Sequence, residues 1–151
     1  MSELLTFMMG EFEAEFPDDR LYAKNHMWAR PVGDKIQFGF TAYAVRLLQD
    51  VYFLDWLVEA PVKLDAGQEI GSIESKKAES ALYAPISGDL LVLNEDLMND
   101  PSTINVDKYE RGWLFEMNGP KTELISCKEY VLYLDEVWDK TQRAIKGQLN
   151  E

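Results

Sequence analysis

The chain has 151 residues, 46% of them hydrophobic and 28% charged, the composition of a globular protein with room for one core. Its 27 acidic against 15 basic residues give a formal charge of −12. That surface repels polyanions, which argues against nucleic acid and anionic membrane as partners, and it suits encounters with basic clefts of other proteins as well as plain solubility. One cysteine (Cys127) and one histidine (His26) exclude an internal disulfide and a His/Cys metal site within the monomer, and fit a reducing compartment.

Residues 1–16 read as a short amphipathic or irregular extension ending at Pro17-Asp18-Asp19. No Lys or Arg precedes Arg20, so the segment lacks the basic start of a signal peptide, and no run approaches the roughly 18 apolar residues of a membrane span. A cytoplasmic protein is expected. The segment Lys35-Ile36-Gln37-Phe38-Gly39-Phe40 alternates polar and apolar residues, the period of a half-buried strand. Thr41 can cap a helix whose Tyr43, Ala44, Leu47 and Leu48 share a face, and Val51 to Leu54 returns to β-type residues. Beyond Pro61 the chain reads as short strands at 62–64, 69–74, 80–83 and 90–93, separated by turn residues, a pattern of hairpins in a sandwich or barrel. Residues 94–107 read as a loop or short helical turn, and Gly112 to Met117 as a final strand. In the tail, Tyr130, Leu134, Val137, Trp138, Thr141 and Ile145 recur at helical spacing, with Lys140, Arg143 and Lys146 toward the favourable end of the helix dipole and Gly147 as a stop.

Between Gly67 and Gly88 lie two strands with Lys77 near their midpoint, ten residues after the first glycine and eleven before the second. This spacing puts Lys77 in a turn with its amine far from the core. Patterning alone favours a solubilising turn, since most lysines are solvated.

The wording around that turn carries more. Glu74-Ser75-Lys76-Lys77-Ala78-Glu79-Ser80, followed by Pro85-Ile86-Ser87-Gly88, resembles the lipoylation site of the glycine cleavage H-protein family, which has Glu-Ser-x-Lys-Ala and then Pro-x-Ser-Gly at this distance. His26-Met27-Trp28, Gly39-Phe40-Thr41-Ala42-Tyr43-Ala44, Asn94-Glu95, Pro101, Asn105, Tyr109 and Gly112-Trp113-Leu114 match further landmarks in order, from about Leu21 to about Leu134.

The resemblance implies a mainly β fold with minor α, a lipoyl/biotinyl-type barrel-sandwich hybrid with short helices and an extended C-terminal helix. It divides the chain into an extension (1–20), a lipoyl-carrier β domain (21–126) and a helix packed on that domain (127–151). It implies lipoate joined covalently to Lys77 as N6-lipoyl-lysine, with Glu74 and Gly88 helping a lipoate ligase or lipoyl transferase recognise the tip. The implied function is a non-catalytic carrier in glycine catabolism, shuttling an aminomethyl group between a glycine decarboxylase, an aminomethyltransferase and a dihydrolipoyl dehydrogenase.

Departures from the family pattern bear on the partners. Charged Lys76 and Glu79 stand where apolar or small residues are common, Gln49-Asp50-Val51 replaces a common Gly-Asp-Val, and the final helix runs past the usual end. Two alternatives follow: an H-protein-like lipoate-binding carrier of a heterodisulfide-reductase-like sulfur-oxidation pathway, and an unlipoylated scaffold or regulatory protein using its acidic surface. A biotin carrier is disfavoured, since that family flanks its lysine with Met, whereas Lys76 and Ala78 stand here. No catalytic residue is expected. With one histidine there is no Ser-His-Asp set, and Glu95, Asp96 and Glu116 show no paired-carboxylate spacing. His26 is expected to make a structural hydrogen bond, and Cys127 to be an ordinary thiol.

Overall fold

Period-two runs become strands, and their apolar positions decide which way each faces. The computed structural model describes the backbone of residues 3–150 and the side chains of residues 3–142. The strands β3 (Leu21–Tyr22), β4 (Met27–Val32), β5 (Lys35–Phe40), β7 (Val62–Leu64), β10 (Gly88–Leu93) and β11 (Phe115–Asn118) form one sheet in the order β3-β4-β5-β11-β10-β7. A second sheet holds β6 (Val51–Trp56), β8 (Glu69–Ser75) and β9 (Glu79–Tyr83) in the order β6-β8-β9. Ala29, Phe38, Phe115 and Met117 from the first sheet and Leu54, Ile73 and Leu82 from the second share one buried core, and Trp56 meets Phe115 edge-on at 6.0 Å across it. The fold is the mainly β sandwich that the strand spacing implies.

Trp28 is buried and lies in register opposite Gly39. A Cβ on Gly39 would sit 2.5 Å from the indole, so only glycine admits the ring. Helix α1 (Ala42–Leu48) starts where Thr41 accepts a hydrogen bond from the Ala44 N–H, as the capping residue predicts. The short helices α2 (Asp96–Asn99) and α3 (Thr103–Val106) occupy the segment read as a loop or helical turn. Buried Asn94 fastens that segment by donating to the carbonyls of Arg111 and Trp113. The strand expected from Gly112 begins only at Phe115: the Gly112 N–H still donates to Asp107 in a turn, and its Cα packs against backbone on that side.

The N-terminal segment differs from its expected irregular form. It is an antiparallel hairpin of β1 (Leu4–Met9) and β2 (Phe12–Pro17), with Leu5 opposite Phe16 and Phe7 opposite Ala14. Glu13 and Glu15 alternate with Phe12, Ala14 and Phe16, which puts one apolar face inward, and Gly10 takes φ +67° in the turn. That face packs on α4 (Cys127–Asn150): Phe16 lies edge-on to Tyr130 at 5.5 Å and Phe7 edge-on to Trp138 at 6.3 Å. With Tyr22, Trp28 and Tyr43 they form a second, aromatic cluster outside the sandwich core. The apolar stripe of α4 faces this cluster, with Tyr130 and Leu134 buried and Val137, Trp138 and Thr141 half-buried. The helix does not stop at Gly147 but continues to Asn150, since one glycine costs a helix only about 1 kcal/mol. The side chains of Arg143, Ile145 and Lys146 fall outside the described residues. Among the described residues no helix is long and apolar enough to cross a membrane.

Candidate functional site

Strands β8 and β9 are joined by the three residues Lys76, Lys77 and Ala78. Ser75 closes this loop. Its N–H and its hydroxyl both donate to the Ala78 carbonyl, at 2.8 and 3.0 Å, and its Oγ accepts from the Ala78 N–H at 3.1 Å. The Lys76 N–H donates to the carbonyl of Asp50, 2.8 Å away in the link between α1 and β6. Lys76 and Ala78 are thus both held by their backbones. Lys77, between them, makes no hydrogen bond or ion pair among the described residues, and its side chain is exposed. An amine so placed can reach into a partner's active site while its own backbone stays on a rigid scaffold.

The other expected recognition residues are differently placed. Glu74 lies on β8 just below the loop, half-buried and directly opposite Glu79 on β9. Gly88 opens β10, beyond the end of β9 opposite the loop, and β9 alone, five residues long, spans about 17 Å. It has φ +150°, and a Cβ there would fall 1.9 Å from the Asn118 carbonyl oxygen. Glycine is therefore required at this position by the crossing of two backbones, whatever a modifying enzyme reads. The structure brings Glu74 to the tip and leaves Gly88 away from it.

The link that holds Lys76 was not anticipated as part of the site. Gln49 has φ +62° and ψ −145°, a region otherwise used by glycine. Asn105 of α3 brackets it, donating from Nδ2 to the Gln49 carbonyl at 2.7 Å and accepting the Val51 N–H on Oδ1 at 2.9 Å. The one visible signal was the replacement of a common glycine by Gln49.

Beside the loop is a cleft of about 330 Å³ between α1 and β9, lined by His26, Ala44, Leu48, Ile73, Ala78 and Leu82 among others. His26 gives it no charge. Burial pushes the imidazole down to about 4, and Nδ1 is hydrogen bonded to the Tyr130 hydroxyl at 2.8 Å, the structural role its position suggests. Cys127 is buried elsewhere, under the N-terminal hairpin, with its thiol donating to the Phe16 carbonyl. Burial raises that thiol to about 11, so it is a poor nucleophile. Among the described residues no group of three or more His, Cys, Asp or Glu side chains is arranged to hold a metal ion.

Known proteins resemble the chain over most of its length. Residues 20–137 match the family model described as glycine cleavage H-protein. The chain is 40% identical over 124 residues to the glycine cleavage system H protein of Rubrobacter xylanophilus, covering 82% of this chain and 98% of that one. It is 38% identical over 123 residues to the glycine cleavage system H protein 4 of Aquifex aeolicus, covering 79% and 71%. A crystal structure of a glycine cleavage system H protein from Mycobacterium marinum superposes with a TM-score of 0.65 at 34% identity, over 76% of this chain and 95% of that one. With a match spanning most of its length and relatives this similar, the chain belongs to the glycine cleavage H-protein family.

Proposed function

We propose that this member of a family of non-catalytic carriers bears lipoate in amide linkage on Lys77. In this reading it carries an aminomethyl group among a glycine decarboxylase, an aminomethyltransferase and a dihydrolipoyl dehydrogenase. A lipoate ligase or lipoyl transferase loads it in the cytoplasm. Residues 21–126 are the carrying unit, with the helix at 127–151 packed on it and 1–20 as an extension.

The observation that carries the reading is the apex itself. A lysine with a free, exposed amine stands on a loop whose other two residues are tied down. The attached dithiolane would supply the redox and group-carrying chemistry. The chain's own residues position it. Ser75 and the Asp50 carbonyl hold the base of the arm, and Glu74 sits beside it for recognition. The apolar cleft lined by Leu48, Ile73 and Leu82 offers shelter for an apolar arm against water. Tethering also raises the local concentration of the arm at each partner's active site.

The test is intact mass after incubation with lipoate, ATP and a ligase. The protein should gain one lipoyl unit, Lys77→Ala should gain none, and glycine decarboxylase should then load the modified protein. A wild-type protein that gains no mass refutes the reading. One that accepts lipoate but never an aminomethyl group points to a carrier with other cargo.

A further inference from the structure

Two lysines stand side by side in the loop, and both are exposed. Something must set which one is acylated. Resting on the reading of Lys77 as lipoyl acceptor, we propose that Asn105 is a positioning residue for that modification. By pinning the Gln49–Val51 link it keeps the Asp50 carbonyl on the Lys76 amide, and so ties Lys76 to the β6 side of the turn while Lys77 stays untied beside it.

The turn needs such a restraint, because the strand pair beneath it is weak. Glu74 and Glu79 face each other across β8 and β9, and like charges in direct opposition weaken a strand pair. Above that rung Ser75 bonds to Ala78, which leaves Lys76 and Lys77 together as the two residues of the turn. Within the loop, Ser75 bonds only to Ala78, a pairing internal to the turn. The hydrogen bond from the Lys76 N–H to the Asp50 carbonyl continues the β6–β8 pairing past Val51 and Ser75, and it ties Lys76, not Lys77, to the neighbouring strand.

That carbonyl belongs to a strained link. Gln49 occupies a glycine-type conformation, which a side chain makes unfavourable and which persists only where the surroundings enforce it. Asn105 supplies two of those constraints, one on each side of Asp50: the Gln49 carbonyl on Nδ2 and the Val51 N–H on Oδ1. Without them the link can relax and withdraw the Asp50 oxygen.

The acylation needs a deprotonated lysine amine and an activated lipoyl acyl group, the acyl adenylate that a ligase forms from lipoate and ATP. The amine lone pair forms the new N–C bond and the acyl C–O bond to AMP breaks, AMP leaving with the electron pair. The nitrogen then loses its proton to water. Asn105 touches none of these atoms and acts only on which amine is presented.

The experiment is site mapping by fragment-ion mass spectrometry on the full chain, acylated with lipoate, ATP and ligase, together with amide hydrogen exchange at Lys76. In the wild type, label on Lys77 should exceed label on Lys76 by roughly tenfold or more. In Asn105→Ala that ratio should fall by about tenfold and exchange of the Lys76 amide should quicken by a similar factor, the effect of losing one or two hydrogen bonds. Asn105→Asp, isosteric and lacking the donor to Gln49, should shift both readouts the same way and serves if the alanine variant does not fold. Asn94→Ala, which removes a comparable pair of bonds elsewhere, should leave the ratio at its wild-type value. Folded Asn105 variants with unchanged ratio and unchanged Lys76 exchange overturn the positioning role while leaving the acceptor reading intact. A wild-type chain that takes no label at all overturns both.

Discussion

At the scale of single residues, His26 is the side chain whose protonation the fold constrains most usefully. It sits at φ +71° with its ring against Tyr43 and its Nδ1 bonded to Tyr130. Burial lowers its pKa from 6.5 to about 4, so the unfolded chain takes up a proton in the window between those values while the folded chain does not. Its contribution to stability is therefore complete above pH 6.5 and is lost as pH falls toward 4. Urea unfolding at pH 7 and pH 5 should show the wild type losing about 1–2 kcal/mol more than His26→Asn, a replacement that tolerates the left-handed backbone. Equal losses would mean that the imidazole is hydrated. His26 was legible in the sequence as a structural residue beside Trp28. Gly88 was legible only as a family landmark, because its close approach to Asn118 joins positions thirty residues apart and no local pattern records such a crossing.

Among the elements, the strands at 35–40, 69–75 and 79–83 and the capped helix at 42–48 follow from local rules of alternation and capping. Their type matches the sequence, but their facing departs from it: the strand at 35–40 is buried on both faces from Ile36 to Phe40, and the helix splits its stripe, Ala44 and Leu48 joining the sandwich core and Tyr43 and Leu47 the aromatic cluster. The N-terminal hairpin was missed although its signal was present. Phe12, Ala14 and Phe16 alternate with glutamates behind a glycine, but the stretch is short and its burial depends on a helix more than a hundred residues later. That dependence is testable. Phe16 is fully buried against Tyr22 and Tyr130, so Phe16→Ala should cost about 3–5 kcal/mol, read as a fall in melting temperature. The regiochemistry of acylation in the folded fraction should not change. The loop that presents Lys77 was legible as a turn, but its bracing was not. The Asn105 side chain bonds the backbone on either side of Asp50, and the Asp50 carbonyl takes the Lys76 N–H, contacts between segments far apart in the chain that no spacing in the sequence encodes.

For the molecule as a whole, the charge of −12 sets how it meets other proteins. If its partners present basic surfaces, the second-order rate of transfer from the lipoylated protein should fall as salt rises from 0.02 to 0.2 M, by roughly an order of magnitude. A rate indifferent to salt would mean that encounter is not electrostatically steered. The two cores also divide the work: the sandwich core holds the hairpin that bears Lys77, and the aromatic cluster fastens the β1–β2 hairpin to α4. This last arrangement constrains how the protein is born. Phe7 and Phe16 leave the ribosome more than a hundred residues before Tyr130 and Trp138, which they must pack against. The hairpin is therefore made well before the helix it docks on, and the nascent chain carries an undocked apolar ribbon over that interval.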